Sequence, residues 1–464
     1  MNKKLILLVA FIVLIALLPL IGNKVVKNTI EQRFADLRQN GLETALKQEN
    51  RGYLQTDLEY TVTVADEEKF LAYLQQYSSQ ELPPYTQSLL AGIVFGVKVH
   101  YNNIPFNEKI SIDIYPVKLS KEMERELKEK NPKLYEFVKE LIRKKAFVYH
   151  IDYDVVSGEF SGSMKDFNER FIQDTNATLE LSYKGVRVSG KGMLLAPDTL
   201  QSSIESLHMG LKDEKTTMDF EVHSWYSKAM FESQSAYSES MKVGKTDFKL
   251  REVSAQTQMP VEVAFHAEGV SFEFAAAAEG KKMKFETDAA VKKLVLSQNA
   301  QNYAVENFHL KGVLSEVDKE SFIRLQKMVQ KLSTQSTQQP SQEKIEQTLV
   351  TLLSNGMHFT LADFSIGSLS IPGQNNIEGF FVKVDAKLHA DPNFVKNYQD
   401  PNALVQNLEV KADMHFSKPF YALLNGLYPV DLMLAQYKKE DQKGVDFHIE
   451  ILQGKIMLNG KALQ

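Results

Sequence analysis

Ten histidines are the side chains best suited to acid–base or metal chemistry: His100, His150, His208, His223, His266, His309, His358, His389, His415 and His448. Imidazole changes charge near neutral pH and is a common metal ligand. Two histidines four residues apart would share a helix face and could chelate, yet no such pair and no His-Glu-x-x-His occurs. Most lie in or beside stretches that alternate apolar and polar, so solvated strand histidines and no metal site are expected. Asp152 and Asp154 share one face around Tyr153. Paired carboxylates can hold calcium or exchange protons, but alternation with Tyr and Val reads as the wet face of a strand. Gly158-Glu159-Phe160-Ser161-Gly162 misses the nucleophile elbow, because its serine stands one place too late. Neither a phosphate loop nor a dinucleotide fingerprint is present. Without cysteine there is no thiolate nucleophile, disulfide, Cys-ligated zinc or iron–sulfur cluster. No catalytic residue and no cofactor are therefore expected, and the leading expectation is a non-enzymatic protein. The competing one is an enzyme whose site assembles from distant strands. Asn176-Ala177-Thr178 is an N-glycosylation acceptor pattern with Asp174 two places before it.

The elements that would position any site are mostly strands. Leu54, Thr56, Leu58, Tyr60, Val62 and Val64 alternate with polar neighbours. The same period of two returns at Ile110–Ile114, Phe147–Val155, Met218–Val222, Val261–Phe265, Val270–Phe274, Phe380–Leu388, Val410–Phe416 and Val445–Ile451. Lys184-Gly185, between Ala177–Tyr183 and Val186–Val188, reads as a hairpin turn. One-sided alternation predicts a predominantly antiparallel sheet with one wet face, not a doubly wound parallel sheet. Helices are few: a charged pair over Lys121–Lys130 and Pro132–Lys145, a second pair over Lys319–Leu332 and Gln342–Leu353, and short ones within Asn393–Leu408 and Pro419–Gln436. The interleaved Glu and Lys of the first pair read as a solvated face. The predicted fold class is α+β, mostly β, with a few helices packed on a large sheet. The sole Trp, Trp225, reads as a core anchor.

The N-terminus carries the location signal. Lys3-Lys4 precede an apolar run from Leu5 to Ile21, at the lower limit of a membrane-spanning helix, and no small-x-small cleavage site follows. Residues 1–22 are predicted to be an uncleaved inner-membrane anchor, with residues 5–21 in the bilayer. Residues 23–48 would form a helical stalk, through Val26, Ile30, Phe34, Leu37 and Leu42/Ala45, and 49–464 a periplasmic β-rich domain. An internal junction is expected near 333–341, in the polar run Ser333–Pro340. A net charge of −5 over 464 residues argues against nucleic acid as a partner.

Certain short motifs resemble the YdgA family of bacterial envelope proteins. They are the hydrophobic segment after Met-Asn-Lys, Asn50-Arg51-Gly52-Tyr53-Leu54-Gln55-Thr56, His309-Leu310-Lys311-Gly312-Val313-Leu314 leading into a helix at Lys319, and Gln453-Gly454-Lys455-Ile456-Met457-Leu458-Asn459-Gly460-Lys461. The resemblance implies inner-membrane anchoring and a large periplasmic domain, and supplies no catalytic residues. On the residues alone, the apolar sheet face outnumbers what the helices can cover. A hydrophobic groove lined by Val263, Phe265, Phe272 and Phe274 is therefore expected, open to lipid or to an envelope protein partner. Long edge strands also invite a homodimer.

Overall fold

The alternating segments pair as antiparallel ladders. The computed structural model describes residues 27–28, 30–75, 85–104, 109–172, 177–194, 196–233, 236–253, 260–333, 341–398, 400 and 405–463. The predicted anchor at 5–21, the acceptor Asn176 and most of the polar run before Pro340 lie outside these residues. Among the described residues no helix is long and apolar enough to cross a membrane.

The chain divides into two compact units, Met1–His208 and Met209–Gln464, so the division falls well before the expected junction near 333–341. In the first unit a helix over residues 30–39 (α1) precedes β1 (Leu42–Arg51) and β2 (Gln55–Val64). Helices α2 (Glu67–Gln75) and α3 (Tyr85–Leu90) lead to β3 (Val94–Asn102) and β4 (Lys109–Lys118). Helices α4 (Lys121–Lys130) and α5 (Pro132–Arg143) follow. Then come β5 (Tyr149–Asp154), β6 (Glu159–Met164), β7 (Phe167–Ile172), β8 (Thr178–Lys184), β9 (Arg187–Met193) and β10 (Ala196–Lys212), whose residues from Met209 on belong to the second unit. Antiparallel pairing runs β1–β2–β3–β4–β5–β6–β9–β10, and β7 pairs with β8, which also pairs with β10.

Two expectations are corrected here. The helical stalk does not extend to residue 48: Gly41, at φ 90°, turns the chain, and residues 42–51 pair with β2. Nor is the helix free-standing, because its Ile30 and Phe34 are buried with Leu58, Tyr60 and Val62 of the sheet. Lys184-Gly185 is not a hairpin turn. Gly185, at φ 64°, bends the chain between β8, which pairs with β7, and β9, which pairs with β6, and both strands also pair with β10. The charged pair α4–α5 forms as expected. Ser120 caps α4, Asn131 caps α5 ahead of Pro132, and i, i+4 ion pairs Lys128–Glu124 and Lys130–Glu126 line the exposed face.

The second unit is a meander of long strands: β11 (Thr216–Ser233), β12 (Ala236–Val253), β13 (Pro260–Glu279), β14 (Lys282–Gln298) and β15 (Gln301–Asp318). Helices α6 (Lys319–Ser333) and α7 (Gln342–Ser354) interrupt it before β16 (Met357–Ile371) and β17 (Gln374–Leu388). A short α8 (Phe394–Asn397) precedes β18 (Leu408–Ser417), and α9 (Lys418–Leu427) and α10 (Val430–Leu434) follow it. The unit closes with β19 (Lys439–Glu440), β20 (Gly444–Leu452), β21 (Lys455–Leu458) and β22 (Lys461–Ala462). Each long strand pairs antiparallel with the next, and β18 pairs with β20. Helices cover only parts of it. Phe322 and Leu352, from α6 and α7, pack on Phe285, Met283 and Val317, while Phe420 and Tyr421 of α9 pack on Phe380, Phe416 and Phe447.

Candidate functional site

A single line of residues crosses the second unit, breaking the pleat of β11–β17 and ending at the last residue of β18 and the first of β20. Ser224 of β11 faces Gly244 of β12, which faces Gly269 of β13, then Lys292, Asn307, Gly367, Gly379, Ser417 and Gly444 in turn. Ser224, Gly269 and Asn307 hold φ of 55°, 62° and 55°. Strand residues do not adopt such values, and for Ser and Asn they carry a steric cost. The glycines are required by close approach. A Cβ on Gly379 would lie 1.8 Å from the Ile366 carbonyl oxygen, and one on Gly444 2.3 Å from that of Phe416.

This crease resets the alternation. In β13 the apolar residues run Val261, Val263, Phe265, Ala267 and then, past Gly269, Val270, Phe272, Phe274, Ala276: odd numbers, then even. The same change of parity occurs at Lys292 (Val291 to Leu294), Asn307 (Val305 to Phe308) and Gly379 (Ile377 to Phe380). One residue removed from the pleat in each of β11–β17 at the same level, as at a bulge, makes residues three apart the same-face neighbours there. The parity change is visible in the sequence; its alignment across strands is not.

Beyond the crease the rows segregate by chemistry, because residues directly opposite in a ladder share a face. One row reads Trp225, Val243, Val270, Val291, Phe308, Ile366, Phe380, Phe416, Val445. The row two residues further reads Ser227, Met241, Phe272, Ala289, Leu310, Phe364, Val382, Met414, Phe447. Where α9 lies on it, this face is closed: Val445, Phe447, Phe420 and Tyr421 are buried. On β11–β15, by contrast, no residue of the two rows is fully buried, and Phe272 is 37% exposed. The four groove residues divide accordingly. Val263 and Phe265 lie on one side of the crease and Phe272 on the other, all incompletely covered. Phe274 stands apart, because it packs on Tyr237 and on Phe285, the ring that Phe322 of α6 covers.

The opposite face carries charge ladders. Beside the crease run His223, Lys245, Glu268, Lys293, Glu306, Ser368 and Glu378, of largely alternating sign. Histidines here are not simply solvated. His266, His415 and His448 stand directly opposite Asp247, Asp446 and Asp413, as His100 and His150 of the first unit do opposite Asp57 and Asp113. Two of these imidazoles, and that of His309 on β15, use both nitrogens. His309 contacts Asp363 at 2.8 Å and Asp288 at 2.9 Å. His448 contacts Asp413 at 2.7 Å and Glu450 at 3.2 Å, and His150 contacts Asp113 at 2.7 Å and Asp152 at 3.3 Å. Two carboxylate partners require two N–H donors, the imidazolium form. The Asp363 and Asp288 hydrogen bonds raise the pKa of His309, those of Asp413 and Glu450 raise that of His448, and Asp113 chiefly raises that of His150 against partial burial. Asp152 is thus part of a bridge, while Asp154 accepts from the amides of Val156 and Ser157 in a turn. A hollow of about 480 Å³ opens at the crease, lined in part by Ser224, Lys242, Ser271, Glu273 and Asp288. Its two carboxylates are already engaged, Glu273 by Lys242 at 3.7 Å and Asp288 by His309 and Lys311.

A model of the family described as bacterial protein of unknown function (DUF945) matches residues 1–426. The chain belongs to the DUF945 family. No curated protein and no solved structure matches it. The DUF945 match spans the first unit, the crease down to Ser417 and all but the last residue of α9.

Proposed function

We propose that the chain is a non-enzymatic, YdgA-like protein of the bacterial envelope that offers the uncovered apolar sheet face to a hydrophobic ligand, a lipid acyl chain first of all, or to an envelope protein partner. The observation that carries this reading is the unequal cover of one face. The same rows that are buried on β20, at Val445 and Phe447, and half-buried on β18 continue across β11–β15 with no covering helix among the described residues. Apolar area left in water costs roughly 25 cal/mol per Å², which favours an occupant. Along β11, from Trp225 to Phe231, which is 42% exposed, is six residues, about 20 Å at strand rise. That exceeds one leaflet's hydrocarbon depth, about half of the ~30 Å core. An N-terminal anchor at residues 5–21, with the bulk of the chain in the periplasm, would keep the face beside its ligands.

Trp225 supplies the test, since it is the sole tryptophan and sits in the uncovered row. Monomeric fatty acid with a brominated acyl chain, added to the full chain, should quench Trp225 saturably. Phe272→Asp should abolish the saturable quenching while leaving the circular dichroism unchanged. Quenching that is absent in the wild type, or that survives Phe272→Asp in a folded chain, defeats the reading. The alternative, an enzyme assembled across strands, gains no support from the hollow at the crease, whose carboxylates are spent on ion pairs.

A further inference from the structure

Helix α10 is apolar on both sides. Its Val430 and Leu434 pack inward on the cluster of Tyr421, Tyr437, Val445, Phe447 and Leu458. Its outward side and the preceding turn leave Leu427 67%, Tyr428 68% and Leu432 86% exposed. A helix that is hydrophobic all round is ordinarily covered all round. Three large side chains projecting from a turn cannot enclose a small ligand. What they fit is a medium that is itself apolar.

Charge says which medium. From Pro419 to Tyr437 the only ionisable acid or base of fixed charge is Asp431. It is neutralised from within: the Tyr421 hydroxyl donates to it at 2.8 Å, Asn425 at 3.2 Å, and Lys438 lies 3.4 Å away. A protein interface typically surrounds its apolar centre with a charged and polar rim. A segment inserted among lipid headgroups and upper acyl chains instead shows apolar side chains, an amphipathic aromatic ring and no unpaired charge.

We propose that the α9–α10 turn is a membrane-interface tip, with Leu427 and Leu432 dipping into the acyl region of a bilayer and Tyr428 at headgroup level. The tip directly follows the stretch that the family model covers, and its exposed Leu427, Tyr428 and Leu432 belong to neither of the apolar sheet rows. Having no free charge, it should bind zwitterionic and anionic bilayers alike, and with little sensitivity to salt.

The chain has no cysteine, so Leu432→Cys in the full chain carries one environment-sensitive fluorophore cleanly. The labelled chain is reconstituted into phosphatidylcholine vesicles, with and without phosphatidylglycerol, and quenched by aqueous iodide or by brominated acyl chains. Shielding from iodide by severalfold, with quenching by the brominated chains at low and high salt alike, is expected. Leu427→Ser with Tyr428→Ser should reverse both effects. Free access of iodide with no effect of the brominated chains overturns the proposal. So does shielding from both quenchers, which would mean that a protein or a second copy covers the tip.

Discussion

His309 Nε2 lies 2.9 Å from Asp288 Oδ1, while its Nδ1 meets Asp363 at 2.8 Å, so one imidazolium ties β14, β15 and β16 together. Its pKa is raised above the ordinary imidazole value near 6.5, chiefly by Asp363. A raised folded-state pKa means stability that is fully present below the unfolded pKa and is lost as pH rises through the folded one. His150 and His448 are shifted the same way. The melting temperature should therefore fall as pH climbs from about 6.5 through neutrality. His309→Gln should flatten that slope without abolishing it, because two bridged imidazoles remain. Thermal melts at stepped pH check this; an unchanged slope in the variant would mean the bridge does not hold in solution.

Tolerance at glycines should follow the crease. Gly379→Ala forces a Cβ against the Ile366 carbonyl, backbone that cannot swing aside. It should cost about 3 kcal/mol, the upper range for overpacking. Gly426 is helical in α9 and has nothing within 4 Å of its would-be Cβ. Gly426→Ala should instead stabilise by about 0.5 kcal/mol, through helix propensity and chain entropy. Urea titration of both variants measures the contrast, and equal effects would remove the crease as a structural requirement.

The crease also marks the limit of what the sequence discloses. Period-two alternation in Phe380–Leu388 or Val445–Ile451 sufficed to place strands, since one face of each is wet and the other covered. Leu42–Arg51 misled, because Leu42 and Ala45 also fit a helical spacing with Ile30 and Phe34; pairing with β2 overrode it. Within β13, Val263 and Phe265 have one parity and Phe272 and Phe274 the other. Read singly, that is two strands. Only when Gly269 stands in register with Ser224, Gly244 and Gly367 does it become one strand, reset at a common level. The histidines were legible as strand residues but not as bridges, because partners such as Asp363 and His309 are 54 residues apart in sequence.

Covered and uncovered parts of the apolar face should differ sharply in mutational cost. Phe420 is 8% exposed and meets Phe380 at a ring-centre distance of 5.0 Å. Phe420→Ala should cost about 3–5 kcal/mol, the transfer and cavity terms together. Phe272, 37% exposed and with no helix above it among the described residues, should lose no more than about 1 kcal/mol on change to Ser. Chemical denaturation distinguishes them. A loss at Phe272 as large as that at Phe420 would place Phe272 in a closed core and leave no face for a ligand.

The docked helix of the first unit gives the last test. Phe34 is 7% exposed, and its ring centre lies 4.3 Å from that of Tyr60 on β2. Ile30, one turn earlier, joins the same cluster. Burial also pushes the Tyr60 phenol up, with Glu31 of the same helix adding to the shift. A free-standing stalk would tolerate alanine at either position. A helix that closes the core beneath β1 and β2 would not, because each truncation removes buried surface and leaves a cavity beside Leu58 and Val62. Phe34→Ala should therefore destabilise the first unit by about 3–4 kcal/mol, and Ile30→Ala by about 2–4 kcal/mol. Hydrogen exchange at the β1 and β2 amides should rise in both variants, while exchange in β14 and β15 stays as in the wild type. Unaltered protection at β2 in Phe34→Ala would return residues 30–39 to the role of a spacer.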